Sequence, residues 1–179
     1  VGDINYNLTP AQWLTVYKAS SDNVVNRRLA ISAAVKEIED SNSQVLIDMA
    51  MNDSWHSIRQ LALEYLSRIK GDQWKEKWKG KVWKLATHDT DNIARATAFS
   101  LLGDWDVKEA KLDMLAAIPD SSYSVAGAAL DALDDITMPG DDTTYKIAKE
   151  MLGKEPKGDL RIAVWEIIAE KGNASDAML

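Results

Sequence analysis

The sequence predicts an all-α fold: a right-handed α-α superhelix, a helical solenoid of about five helix pairs. Two observations predict it. The first is a recurring frame: an acidic or hydroxyl residue, an Arg six positions later, a small-plus-large apolar pair, and one more apolar residue. Asp53, Arg59, Ala62–Leu63 and Leu66 form its clearest copy, and Asp89, Arg95, Ala98–Phe99 and Leu102 repeat it. Ser21, Arg27, Ala30–Ile31 and Ala34 give an earlier copy. Asp120, Ala129–Leu130 and Leu133 give a later one, with Ala126 in the Arg place. Glu155, Arg161, Val164–Trp165 and Ile168 fit more loosely. The Arg positions of these copies are 27, 59, 95, 126 and 161, a drifting period near the length of one helix pair, which marks a helical repeat. The second observation is punctuation: short apolar-periodic segments alternate with Gly, Pro, Asn and Asp clusters, and no strand-like alternation is evident.

Taken in order, Val1–Leu8 reads as a polar lead-in. Thr9-Pro10 starts a helix, a hydroxyl cap followed by Pro where its missing N–H costs nothing. Trp13, Leu14, Val16 and Tyr17 form its apolar face. Val24–Ile38 carries an inward stripe of Ile31, Ala34, Val35 and Ile38. Ser41–Ser43 reads as a turn and Val45–Met51 as a short helix. Asn52-Asp53-Ser54 then caps a helix whose core face is Trp55, Ile58, Ala62, Tyr65, Leu66 and Ile69. Lys70-Gly71-Asp72 separates it from Gln73–Thr87, where Trp74, Trp78 and Trp83 lie among lysines and Gly80 weakens the helical pattern. Asn92–Leu102 follows the cap region His88–Asp91 and is stopped by Gly103-Asp104. Val107–Ile118 places Ala110, Leu112, Leu115 and Ile118 on its apolar side. Tyr123–Leu133 is nearly all small and apolar, suited to tight packing. Thr143–Leu152 and Asp159–Lys171 form the last pair, and Asn173–Leu179 reads as a cap followed by an interrupted helix.

No such pair can bury its face alone, so stability must come from stacked neighbours. At 179 residues the chain is one domain by size, 1–179. Its start at Val1 and its interrupted end read as a C-terminal fragment of a larger protein. The formal charge of −7 argues against nucleic acid and against an anionic membrane. There is no Cys, so disulfides and thiolate metal sites are excluded. No apolar run reaches the roughly 18–20 residues needed to span a bilayer.

The spacing of Asp and Arg has a structural explanation. A buried helix start leaves backbone N–H groups without partners, and an Asp there accepts from them and suits the positive end of the dipole. An Arg two turns later can reach the neighbouring repeat's Asp with a forked pair. The expected ladder comprises Asp53, Arg59, Asp89, Arg95, Arg27 and Arg161.

This frame resembles HEAT repeats, in which Asp, an Arg six later and the surrounding apolar positions lie on the second helix of each pair. The steps here are shorter than the roughly 40–47 residues of typical HEAT units. A narrower resemblance rests on Ser20–Ile31, SSDNVVNRRLAI, and Asp120–Leu133, DSSYSVAGAALDAL. These look like repeats from the C-terminal region of bacterial aminopeptidase N-like zinc metallopeptidases. The resemblance implies a non-catalytic domain that closes over a catalytic zinc domain and shapes the peptide chamber. Its partners would be that parent domain and its peptide substrate. Zinc would belong to the parent, since this chain has neither H-E-x-x-H nor the Gly-rich exopeptidase motif. The resemblance also places the chain, as part of a bacterial peptidase, in the periplasm or outside the cell.

Local chemistry adds little. His56 and His88 lack partners at zinc-ligand spacing and read as surface and helix-end residues. His88–Asp91, and Asp134-Asp135 with Asp141-Asp142, could hold a divalent ion but sit where helices start or stop, which favours capping. The lysines around Trp74 and Trp78 read as the solvated face of a helix whose aromatics point inward. Three glycosylation sequons, at Asn7, Asn52 and Asn173, receive no role.

Two functional expectations follow. The first is the non-catalytic domain of a zinc aminopeptidase. The alternative is a stand-alone, monomeric scaffold that binds a protein or peptide in its concave groove. For that groove the expected contacts are Gln60, Glu64, Ser67 and Thr97, polar positions beside the core stripe on second helices. No catalytic, metal or cofactor residue is expected in the chain itself.

Overall fold

A computed structural model describes residues 7–172 of the chain. Among these residues there are ten α-helices and no strand: α1 (Pro10–Ala19), α2 (Val24–Lys36), α3 (Ser41–Ala50), α4 (His56–Leu66), α5 (Asp72–His88), α6 (Asn92–Asp104), α7 (Lys111–Ala117), α8 (Tyr123–Asp135), α9 (Thr143–Leu152) and α10 (Gly158–Lys171). The fold class is all-α, as the sequence predicts. The helices pack as two compact units that divide in the chain between Lys70 and Gly71.

In the first unit, α1 begins with a reciprocal cap. The Thr9 hydroxyl accepts from Gln12 N–H, and the Gln12 side chain accepts from Thr9 N–H at 2.8 Å. Asn23 caps α2 through Asn26 N–H at 3.0 Å. Helix α1 packs against α2 and α3, and α2 packs against α3 and α4. First helices thus lie beside first helices, and second beside second. The stripe Arg27, Ala30, Ile31, Ala34 on α2 meets Ile58, Ala62, Leu63, Leu66 on α4, and all are buried. Ser41–Ser43 is not a turn but the first turn of α3. Asp40 caps it by accepting from Asn42 N–H at 2.7 Å, and Ser43 is buried.

In the second unit, the second helices α6, α8 and α10 lie side by side, with α5 against α6, α7 against α8 and α9 against α10. Helix α5 runs unbroken through Gly80, which lies exposed with no atom near the place of a Cβ. Trp74 and Trp78 point inward with ring centroids 5.7 Å apart, and Trp78 is fully buried. Val107–Ile118 is a 3-10 turn, Lys108–Ala110, leading into α7. Met114 fills the core there, whereas Leu112 is 78% exposed.

The small residues of α8 make the close packing possible. Val125, Ala126, Gly127, Ala129, Leu130, Ala132 and Leu133 are all buried. A Cβ on Gly127 would lie 2.7 Å from the Asp159 carbonyl carbon and 2.8 Å from the Leu160 nitrogen of α10. Gly103 does not stop α6, as its sequence neighbourhood suggests. It lies inside the helix, where a Cβ would sit 2.7 Å from Ala132 Cα. Both glycines are there because backbone approaches backbone. Asn173–Leu179 lies outside the described residues, as does most of the lead-in.

Substitution at these glycines should therefore have opposite signs. Gly127→Ala is expected to destabilise by about 1–3 kcal/mol, because rigid backbone of α10 occupies the space. Gly80→Ala should stabilise by about 0.5–1 kcal/mol, since the site is open and helical. Urea unfolding of the two variants beside the parent chain measures both.

Candidate functional site

The Asp and Arg residues of the frame assemble in each unit. In the first, Arg27 on α2 sends Nη1 to both carboxylate oxygens of Asp53, at 2.5 and 2.6 Å. Its Nε donates to the Ser20 carbonyl at 2.8 Å and its Nη2 to the Ser21 carbonyl at 2.5 Å. Tyr17 hydroxyl donates to Asp53, and Trp55 N–H donates to the same carboxylate at 2.9 Å. The two charged side chains are only 11% and 3% exposed. Burial, reinforced by the Asp53 carboxylate, pushes the Tyr17 phenol far above its ordinary pKa. Arg59 Nη1 donates to the Asp53 backbone carbonyl at 2.7 Å.

The second unit repeats this geometry with more solvent. Arg95 on α6 reaches Asp120 at 2.8 Å, and Ser122 N–H donates to the other Asp120 oxygen at 2.8 Å. Burial opposes the charge on Asp120, but that N–H and the guanidinium outweigh it and hold the carboxyl below its usual range. Asp89 accepts from Asp91 N–H at 2.8 Å.

These aspartates are not N-caps. Trp55 occupies the cap position of α4, Asp91 that of α6 and Ser122 that of α8. Each frame Asp stands two residues earlier and bonds the cap residue's own N–H. At Asp53 and Asp120 that turn leaves carboxylate oxygen directed at the Arg of another helix. Ala126, in the Arg place of the later copy, is fully buried among apolar neighbours, where a guanidinium would have no room. The Glu155 copy does not form the same arrangement. Glu155 has φ 53° in the connection before α10, and Arg161 is exposed, with no bonded partner among the described residues.

The expected groove residues are bonded within their own helices. Gln60 Nε2 donates to Glu64 at 2.8 Å, Ser67 hydroxyl to the Glu64 carbonyl at 2.9 Å, and Thr97 hydroxyl to the Ile93 carbonyl at 2.8 Å. Both histidines are exposed at helix ends, His56 beginning α4 and His88 ending α5.

The proposed ion clusters are occupied by protein groups. Asp91 caps α6 through Ile93 and Ala94 N–H. Asp134 accepts from Lys171 and Thr144, Asp141 from Thr143 N–H at 2.9 Å, and Asp142 pairs with Lys146 at 2.8 Å. Among the described residues no group of three or more His, Asp or Glu is arranged to hold a metal. Asp134, Asp141, Tyr145 and Lys171 line a cavity of 570 Å³. In α5, Trp83 Nε1 donates to Asp113 at 2.8 Å, and Lys79 bridges Glu76 and Glu109 at 3.3 and 3.5 Å.

One feature was overlooked in the sequence. Helices α6, α8 and α10 carry Asp104, Asp131, Asp135, Glu166 and Glu170, none of which has a cation partner among the described residues. Burial, then the charges of Glu166, Asp135, Asp134 and Asp159, push the Asp131 carboxyl up to about 6. Burial, then Asp104, Asp134 and Glu170, raise Asp135. The signal was present: Asp131/Asp135 and Glu166/Glu170 are each four apart, one turn along a helix.

No family model matches the chain, and no curated protein matches it. Among solved structures, one chain of the complex of CpcE and CpcF of phycocyanin lyase from Nostoc sp. PCC7120 is similar, with a TM-score of 0.61 and 17% identity. The match covers 88% of this chain and 96% of that one. What the two share is the fold. The finding overturns the resemblance to the aminopeptidase C-terminal region, and with it the peptidase function. Asp120–Leu133 is a run of small apolar residues after a turn, and Ser20–Ile31 a capped helix start with a buried stripe, features that any tightly packed second helix needs. Among the described residues no helix is long and apolar enough to cross a membrane.

The two rungs should differ in strength. Arg27→Ala leaves a nearly water-free carboxylate uncompensated and should destabilise by about 3–5 kcal/mol. Arg95→Ala exposes Asp120 to solvent more readily and should cost about 1–3 kcal/mol. Chemical denaturation of both variants, with Asp53→Asn and Asp120→Asn completing double-mutant cycles, tests the order.

Proposed function

We propose that this chain is a helical-repeat scaffold that acts by binding a protein or peptide partner. The observation that carries the reading is the fold likeness, over 88% of this chain and 96% of the other, to a chain that exists in a complex of two proteins. The lyase activity in that complex's name is not carried to this chain, because 17% identity links folds and not sites.

The partner contacts we propose lie on the second helices, in each unit taken by itself. In the first unit the face includes Gln60 and Glu64 on α4 and Ser67 just after it. In the second it includes Thr97 on α6 and the uncompensated carboxylates of α6, α8 and α10. Charge complementarity favours a partner with a basic segment there. The formal charge of −7 favours neither nucleic acid nor an anionic membrane. In this reading the chain acts as one copy, without a metal or cofactor, and the Asp–Arg rungs hold the scaffold rather than touch the partner.

Affinity capture from the source organism, with quantitative mass spectrometry, tests the proposal. The parent chain and a Glu166→Lys/Glu170→Lys variant serve as parallel baits, both residues being exposed on α10. The expected result is one protein retained in stoichiometric amount by the parent, released by raised salt, and lost from the variant. Equal retention by both baits would remove the proposed face. No stoichiometric protein on either would remove the scaffold reading.

A further inference from the structure

The carboxylates of the second unit are brought together by packing that does not depend on them. Gly127 of α8 rests on the backbone of Asp159 and Leu160 in α10, and Gly103 of α6 rests on Ala132 of α8. These contacts leave the three helices little freedom to separate. Asp131, one turn after Gly127 on α8, consequently lies within electrostatic reach of Glu166 and Asp159 of α10, with Asp134 and Asp135 on its own helix. Asp135 in turn faces Asp104 of α6 and Glu170 of α10.

Among the described residues no cation acts on Asp131 or Asp135: Arg161 of α10 is exposed and unpaired, and the others below pair with different carboxylates. Lys171 of α10 is paired with Asp134, Arg95 of α6 with Asp120, and Lys146 of α9 with Asp142. Lys111 of α7 acts on Asp141, not on this row. Asp159 accepts a hydrogen bond from Ser124 at 2.5 Å, which leaves its charge in place.

We propose that the seam between α8 and α10 is an acid-strengthened joint. Uptake of one proton by Asp131 relieves repulsion across the seam, so the second unit's helical stack holds more firmly as pH falls from neutral. The folded chain carries this proton with a midpoint of about 6. An unfolded Asp takes it up near 3.9. Between those values the folded state binds the extra proton, so stability rises as pH falls through about 6 and levels off near 4. The carboxyls held low by their partners, Asp120, Asp141, Glu109 and Glu150, work in the opposite direction. Their contribution is lost only as pH falls through the ordinary carboxylate range, beneath most of this window.

The test combines carboxyl-detected NMR titration of the full chain with denaturant unfolding at roughly pH 7.5 and roughly pH 5.5. Asp131 should titrate near 6. Asp131 alone should lower the parent's unfolding constant about fourfold between the two conditions, and Asp135, also raised, adds in the same direction. Asp131→Asn should be more stable than the parent at the upper pH and should lose that fourfold dependence. Glu166→Gln should lower the Asp131 midpoint. Glu150→Gln, whose carboxylate pairs with Lys154 within the α9 turn, should keep the parent's behaviour. An Asp131 midpoint in the ordinary carboxylate range would overturn the proposal. So would an Asp131→Asn chain with the parent's pH dependence. Should Asp131→Asn not fold, an unchanged Asp131 midpoint in Glu166→Gln decides against it.

Discussion

A carboxylate shut away from water must be satisfied by the chain itself, and Asp53 is satisfied by three groups: Tyr17 hydroxyl, Arg27 and Trp55 N–H. Each comes from a different helix or its approach. The first unit therefore depends on one ionic centre where α1, α2 and the entry to α4 converge. The buried charge constrains more than it stabilises. Coulombic attraction in a low-dielectric site is offset by desolvation, but a misplaced partner is penalised heavily. Arg95 and Asp120 make the corresponding contact in the second unit with more water present, so the constraint there is looser.

The second unit relies on a different principle. Its second helices approach so closely that glycine is needed at two crossings. Close backbone contact gains dispersion and apolar burial along α8. The same approach compresses a row of like charges that nothing in the described chain neutralises. Stability from packing and strain from electrostatics thus occupy the same helices. A face with surplus charge held in a rigid frame is the arrangement expected of a surface that meets a complementary molecule.

This view of function rests on what the residues are engaged in. The histidines are exposed, and the acidic pairs that resemble ion sites serve as turn formers, a cap and salt-bridge partners. Of the arginines that recur at helical-pair spacing, Arg27, Arg59 and Arg95 are committed to carboxylates and carbonyls. What remains distinctive is surface, which accords with a scaffold. The resemblance to a peptidase domain rests on a capped helix start at Ser20–Ile31 and a small-residue repeat at Asp120–Leu133. Those features report tight helix packing, a requirement shared by unrelated proteins with this architecture.

By itself the sequence determined the helix class, the number of helices and most of the inward stripes. Apolar periodicity and cap chemistry are local, and they suffice for Ile58, Ala62 and Leu66 or for Thr9-Pro10. It also determined that Arg27 and Asp53 have a structural relation, through spacing alone. Only the tertiary structure decided what those residues do. The Asp positions became turn residues two places ahead of the cap, because the neighbouring Arg competes for the carboxylate. Gly103 became a contact rather than a stop, because Ala132 of another helix lies against it. Ser41–Ser43 became helix, because Asp40 caps it and the core accepts Ser43. Leu112 turned outward, because the 3-10 turn rotates the start of α7. The charge on Asp131 acquired its meaning from Glu166 and Asp159, residues far away in sequence. Such effects depend on distances between helices, which a local pattern does not contain.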